Sequence, residues 1–278
     1  FSADLELSKS WQTDTGLLVR GTGNILTAAY IENKINEKSN LLKVYPMGAL
    51  EFKYPLFKNK TKKSEVFIPI AQLVYSTDTS STKDPIDEDS STTEFDSTSL
   101  FKLRKIPGID RQEKGLRLTA GLQYFYEYKN NYKYSVSLGQ VYRNKNSKDF
   151  LLSSGLNGYE SDILLSGNIS FQRDLDMASK QVYSKNFSLK RSDTSLKITK
   201  NRYQINTSLV NLISDPLEGT STDLKELLLN FNSSFTKNWS GKIGLRRNMV
   251  NNENIHASVG LNFKNECIDI DLSLSRRN

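Results

Sequence analysis

Between Asp84 and Arg117 the sequence gathers the side chains best suited to chemistry. Asp87, Glu88, Asp89, Glu94, Asp96, Asp110 and Glu113 stand there with Arg104, Arg111 and Arg117. Paired carboxylates suit general acid–base hydrolysis, and a run of acids suits a calcium loop. The calcium reading requires a glycine at the sixth loop position, and none stands there counted from Asp84 or Asp87. Opposite charges interleaved over one segment instead predict a long loop stitched by charge-assisted hydrogen bonds and folded inward. Perturbed carboxylates are often merely ion-paired, so the role expected here is structural. Pro107, Gly108 and Ile109 mark a turn within the segment. Asp110 and Arg111 are the expected anchors of that turn to an inner wall.

Elsewhere the reactive inventory is thin. The 278 residues include one Cys, Cys267, and one His, His256. That excludes an internal disulfide framework, a multi-Cys zinc site, a His-rich metal centre and a His-based triad. No cofactor is expected. A lone free Cys such as Cys267 is usually a small buried apolar residue. Lys and Arg number 38 against 31 Asp and Glu, a net charge of +7. Nucleic acid is one class of partner for such a chain, but no recognition helix or RNA-binding motif accompanies the charge. Lys58, Lys60, Lys62 and Lys63 share one turn, and Arg246–Arg247 and Arg276–Arg277 form pairs. Rim cations of this kind suit a phosphorylated lipid better.

The elements that must carry these residues are announced by alternation. Leu116, Leu118, Ala120, Leu122, Tyr124, Tyr126 and Tyr128 share one parity, and Arg117, Thr119, Gln123 and Glu127 share the other, with Phe125 out of step. Successive strand side chains point to opposite faces, so the segment is a strand with one apolar and one polar face. Tyr132, Tyr134, Val136, Leu138 and Tyr142 repeat the pattern against Lys133, Ser135, Ser137, Gly139 and Arg143. It recurs at residues 3–8, 43–56, 162–172, 255–263 and 268–275, with Leu164 breaking the polar parity. Roughly a dozen strands of ten to fifteen residues are expected, with no amphipathic helix.

Length then discriminates. Strands of soluble proteins usually stop near five or six residues, whereas a tilted strand needs about 9–11 to cross a bilayer. No apolar run is long enough for a membrane-spanning helix. Phe1 opens directly into alternating sequence, so no signal peptide is expected within these residues. Tight turns are expected at 11–16, 129–131, 238 and 265–266, and long polar connections at 32–42, 77–99 and 144–157. Turns between Ser179 and Asp223 have no clear sequence signal. Outside that stretch, short and long connections mostly alternate, as in an outer-membrane barrel. Tyr124, Phe125, Tyr126, Tyr128, Tyr132 and Tyr134 bracket one turn, either as part of an interfacial aromatic girdle or as a cluster closing a soluble hairpin. Pro46, Pro55 and Pro69 fall within expected strands, where a bulge would accommodate them. The fold class predicted is all-β, an antiparallel transmembrane β-barrel present in part.

One region carries more than a pattern. It reads FIPIAQLVYS, IDEDSSTTEFDSTSLFKLRKIPGIDRQEKGLRLTAGLQYFYEY and YSVSLGQVYRN. Through Glu88, Asp89, Ser90, Glu94, Phe95, Asp96, Leu100, Phe101, Gly108, Asp110, Arg111, Glu113, Gly115, Arg117, Gly139, Gln140 and Tyr142 it resembles the LptD family of lipopolysaccharide-assembly proteins, also called organic solvent tolerance proteins. The ending NECIDIDLSLSRRN resembles that family's late cysteine and following strand. The resemblance implies that residues 1–278 form the C-terminal portion of an outer-membrane barrel domain, without its periplasmic domain and first strands. It implies a non-enzymatic translocon that inserts lipopolysaccharide into the outer leaflet through a lumen and lateral gate. The partners implied are lipopolysaccharide, an LptE-like lipoprotein plug, an LptA-like periplasmic bridge and outer-membrane lipids, with no nucleic acid. Arg117, Thr119, Gln123 and Glu127 would face the lumen, and Cys267 would form an inter-domain disulfide. A general porin or siderophore-type barrel is the alternative, and a soluble extended β-protein the third reading.

Overall fold

Two-faced segments become strands when each backbone N–H and C=O finds a ladder partner, and here the alternating segments do so. The computed structural model describes residues 1–34, 37–77, 93, 95–129, 131–172, 174–214 and 222–277. Among these are sixteen strands: β1 (Ser2–Gln12), β2 (Leu18–Lys34), β3 (Glu37–Lys53), β4 (Leu56–Lys60), β5 (Lys63–Ser76), β6 (Gly115–Tyr128), β7 (Tyr132–Ser147), β8 (Gly158–Glu160), β9 (Ile163–Phe171), β10 (Leu175–Tyr183), β11 (Leu189–Lys200), β12 (Tyr203–Leu212), β13 (Leu224–Ser234), β14 (Trp239–Asn248), β15 (Glu253–Lys264) and β16 (Asp269–Arg277). The helical content described is one short 3₁₀ turn, Leu152–Ser154. Strands pair in sequence order, with β4 set on β5 and β8 set on β7 beside the main path. The all-β antiparallel class expected from the alternation is the one observed, with sixteen strands rather than a dozen.

Three sequence expectations need correction. Residues 32–42 are not a long connection: β2 and β3 pair without interruption from Leu18↔Lys53 to Lys34↔Glu37. The segment lacks apolar–polar alternation in sequence, so the ladder leaves no periodic trace. The connection expected at 144–157 begins later, because β7 runs on to Ser147. Pro55 lies between β3 and β4 rather than within a strand, and its missing N–H helps to end β3. Pro46 and Pro69 flank the two ends of the β3–β5 ladder, which runs from Met47↔Ser76 to Lys53↔Ile70. A residue without a donor is tolerated at such ends, and no bulge is needed there.

Contacts group the chain into two units. The first comprises Phe1–Phe57, Val66–Tyr124 and Ser137–Leu164. In it the two strand faces have opposite fates. On β6, Leu116, Leu118 and Leu122 are exposed while Arg117 and Thr119 are buried. On β3, Leu42, Leu50 and Phe52 are exposed while Lys43, Tyr45, Met47 and Ala49 are buried. The buried face is covered by two loops, 93–114 and 148–162, that bring Phe95, Leu100, Ile106, Phe150 and Leu156 down onto it. Leu164, out of step in the alternation, is fully buried on this covered face.

The second unit comprises Lys58–Glu65, Phe125–Val136 and Leu165–Asn278. Its tight turns are tied to one another. Lys129 N donates to Lys62 O at 2.8 Å, Gln172 N to Asn131 O at 2.5 Å, and Thr199 N to Asp174 O at 2.8 Å. Ser234 N donates to Arg202 O at 2.7 Å and Lys264 N to Asn238 O at 2.8 Å. Aromatic rings follow the same line of turns. Tyr126 stacks on Tyr134 at 4.7 Å, Tyr132 meets Phe171 at 4.3 Å, and Trp239 meets Phe263 at 4.9 Å.

The split between faces makes a direct prediction. Leu118→Arg puts a charge on the exposed apolar face of β6. It should lower folding stability in lipid vesicles in a urea titration, by up to about 2–4 kcal/mol, the value for a cation at the midplane of a lipid-facing strand.

Candidate functional site

The site is the covered face of the first unit, built from β6 and β7 and from loop 93–114. The loop starts with its own scaffold. Asp96 Oδ1 accepts from Thr98 N at 2.8 Å, Ser99 N at 2.7 Å and Thr98 Oγ1 at 2.7 Å. Burial alone would raise this carboxyl, but those hydrogen bonds hold it below the ordinary aspartate range. The scaffold delivers Leu100 and Phe101 onto two glycines. A Cβ on Gly121 would lie 2.9 Å from Phe101 Cζ and 2.8 Å from Leu138 O, and one on Gly139 would overlap Leu100 Cδ2. The glycines of β6 and β7 are therefore the seats of these two apolar side chains.

Strand side chains then hold the loop by its carbonyls. Gln72 Nε2 donates to Phe101 O at 2.8 Å, Tyr30 Oη to Ile109 O at 3.3 Å and Tyr45 Oη to Asp110 O at 3.3 Å. Ser76 Oγ donates to Glu113 O. Gly108 has φ +93°, the left-handed turn conformation that lets the Ile109 and Asp110 carbonyls present themselves. Met47, Ala49 and Val74 pack beneath Leu103. The second loop is clipped to β7 by the Ser161 hydroxyl, which accepts from Val141 N at 2.9 Å, and by Gln140 Nε2, which donates to Ser161 O at 2.8 Å.

At the centre lies a buried ion cluster. Glu113 accepts from Arg117 Nη1 at 3.0 Å and from Arg143 Nε. The Arg143 guanidinium also sits over the Phe150 ring, 5.3 Å from its centroid. Burial by itself would raise the Glu113 carboxyl, but the two guanidiniums hold it below the usual glutamate range. Lys105 Nζ donates to Ser99 O at 3.1 Å and to Leu100 O. Burial lowers this ammonium from 10.5 to about 7, with the Arg117 charge adding to the shift and Glu113 opposing it. Such a cluster fixes a loop on a wall. Among the described residues no group of three or more His, Cys, Asp and Glu is placed to hold a metal.

The sequence-predicted residues separate accordingly. Phe95, Asp96, Leu100, Phe101, Gly108, Asp110 and Arg111 lie in the docked loop, and Arg111 Nη1 reaches Asp149 O at 3.4 Å in the second loop. Glu88, Asp89, Ser90 and Glu94 lie outside the described residues. Arg117 and Thr119 are covered by the chain's own loops, and Gln123 is half-buried. Glu127 lies in the second unit, paired with Lys133 at 3.2 Å. Cys267 is exposed in the β15–β16 turn, its N–H donating to Asn265 Oδ1 at 2.9 Å. Sequence reasoning did not single out Lys105 or Arg143 for the site. The signal for Arg143 was its place on the polar parity of β7, opposite the polar parity of β6.

Long antiparallel strands, apolar on the exposed face and polar under folded-in loops, define the wall of a transmembrane β-barrel. A family model for LptD, LPS transport system D, matches residues 9–239. The chain belongs to the LptD family, whose work is lipopolysaccharide transport at the outer membrane. No curated protein matches it.

The buried lysine makes the loop pH-sensitive. Between pH about 7 and 10.5 the unfolded chain holds more protons on Lys105 than the folded one. Its contribution to stability therefore rises with pH across that window and is lost as pH falls back through about 7. Thermal unfolding in detergent at pH 7 and pH 9.5 should show this rise in the wild type. It should be largely abolished in Lys105→Met.

Proposed function

We propose that the chain is part of the barrel wall through which lipopolysaccharide reaches the outer leaflet. Sugar chains pass along a polar interior while acyl chains leave sideways between weakly paired strands. The work is physical transfer and calls for no covalent step. The observation that carries this reading is the reversal of faces in the first unit: Leu118 and Leu122 exposed, Arg117 and Thr119 buried beneath a docked loop. A wall needs apolar residues toward hydrocarbon and polar ones inside. In this reading residues 1–278 are the C-terminal portion of the barrel domain, crossing the outer membrane many times. An LptE-like lipoprotein occupies the interior, an LptA-like bridge delivers cargo from the periplasm, and Gln123 and Glu127 face the passage. The rings along the turns of the second unit form the aromatic girdle. Cys267, exposed in a tight turn and set in an oxidising compartment, pairs with a cysteine of the periplasmic domain.

Loop 93–114 serves as the seal of this passage. Depleting the protein in cells should lower surface lipopolysaccharide. Complementing with Gly139→Leu, which unseats Leu100, should restore surface lipopolysaccharide but admit a large glycopeptide antibiotic, read as a several-fold drop in its inhibitory concentration. A porin would instead show size-selective solute flux in liposome swelling and no lipopolysaccharide defect on depletion. For the disulfide, Cys267→Ser should abolish the mobility difference between reduced and non-reduced protein. An unchanged difference would assign the bond to other cysteines.

A further inference from the structure

The buried cluster is out of charge balance. Among the described residues, two guanidiniums, Arg117 and Arg143, meet one carboxylate, Glu113, and the Lys105 ammonium, charged below about pH 7, stands near them. The side chains of Arg117, Arg143 and Glu113 are 2%, 3% and 4% exposed, so solvent screens little of the excess. Donors are out of balance as well. Arg117 spends Nη1 on Glu113, and its Nε and Nη2 have no acceptor. Arg143 spends Nε on Glu113, and its Nη1 and Nη2 have none. Thr119, two residues along β6 on the same face as Arg117, is fully buried with its hydroxyl unpartnered. Native structures rarely leave buried donors unmet.

The remaining buried acids among the described residues of the unit do not repair this. Asp110 and Asp162 are buried, but neither accepts from these four guanidinium nitrogens. Water would satisfy N–H groups and leave the excess charge in place. An anion does both, and two guanidinium forks with an ammonium match an oxyanion that accepts in several directions.

We propose that Lys105, Arg117 and Arg143 bind one small tetrahedral oxyanion of the phosphate class between loop 93–114 and strands β6–β7, completing the docking of the loop. The unmet donors that point to it do not depend on the transport reading. The anion enters when the loop folds onto the wall and is held until the loop lifts. Its chemistry is shared by free phosphate and by the phosphate of a lipid headgroup.

The test uses the full protein, purified in detergent without phosphate and freed of lipopolysaccharide. Its thermal unfolding is followed at matched ionic strength in chloride, in inorganic phosphate, and with phosphorylated or dephosphorylated lipid A. Saturating inorganic phosphate should raise the midpoint by about 5 °C, as expected for a ligand bound to the folded state only. A shift with phosphorylated lipid A alone assigns the site to a headgroup. Arg143→Gln should lose the shift, and Lys105→Met, which keeps the apolar stem and should fold, should reduce it. Release of about one phosphate per chain on denaturing protein prepared in phosphate is the second readout and needs no variant. No shift with either source and no released phosphate would overturn the proposal. So would an equal shift in Lys105→Met and wild type.

Discussion

Everything in this molecule follows from which side of each strand meets water. On β3 and β6 the large apolar side chains are outside, and the residues beneath the loops include Lys43, Arg117 and Thr119. A soluble sheet buries the apolar face and leaves the polar one wet. Reversing that order removes the ordinary drive toward a greasy core, so the strands are held by their ladders and by what covers their polar side. Much of the buried apolar surface is supplied by that cover, with Phe95, Leu100, Ile106, Phe150 and Leu156 all buried.

The covering loop adds polar chemistry to the apolar side chains it buries. Four strand side chains, from Tyr30, Tyr45, Gln72 and Ser76, donate to loop carbonyls. Glu113 supplies the charge around which two arginines and a lysine collect. Breaking a buried pair of this kind costs more than the pair adds to stability, because the partner left behind remains buried. The arrangement thus makes loop position nearly all-or-none: a partly lifted loop would strand several donors and a charge at once. A seal benefits from that behaviour.

Much of the sheet was legible in the chain. Leu116, Leu118 and Leu122 against Arg117 and Thr119 state both the strand and its two faces, and the length of β6 separates it from soluble strands. The loop was legible as a structural, ion-paired segment, and Pro107–Gly108 as its turn. What escaped has a physical reason in each case. Residues 32–42 show no alternation of apolar and polar types, so their pairing leaves no periodic trace. Strands β11–β13 are rich in Ser, Thr and Asn, and their ladders rest on backbone groups that composition does not report. The ion cluster joins residues 105, 113, 117 and 143 from a loop and two strands. Charge parity places Arg117 and Arg143 on polar faces but cannot say that one carboxylate serves both. Gly121 and Gly139 read as strand-weakening residues until Leu100 and Phe101 are seen to rest on them.

The hairpin of β2 and β3 has a consequence of its own. Each strand has 17 residues, and the pair is registered along its whole length. Crossing a bilayer takes about 9–11 residues of tilted strand, so roughly six residue pairs remain, or about 20 Å of ribbon. That surplus is held by its own backbone ladder, so the hairpin extends past the span without help from a covering loop.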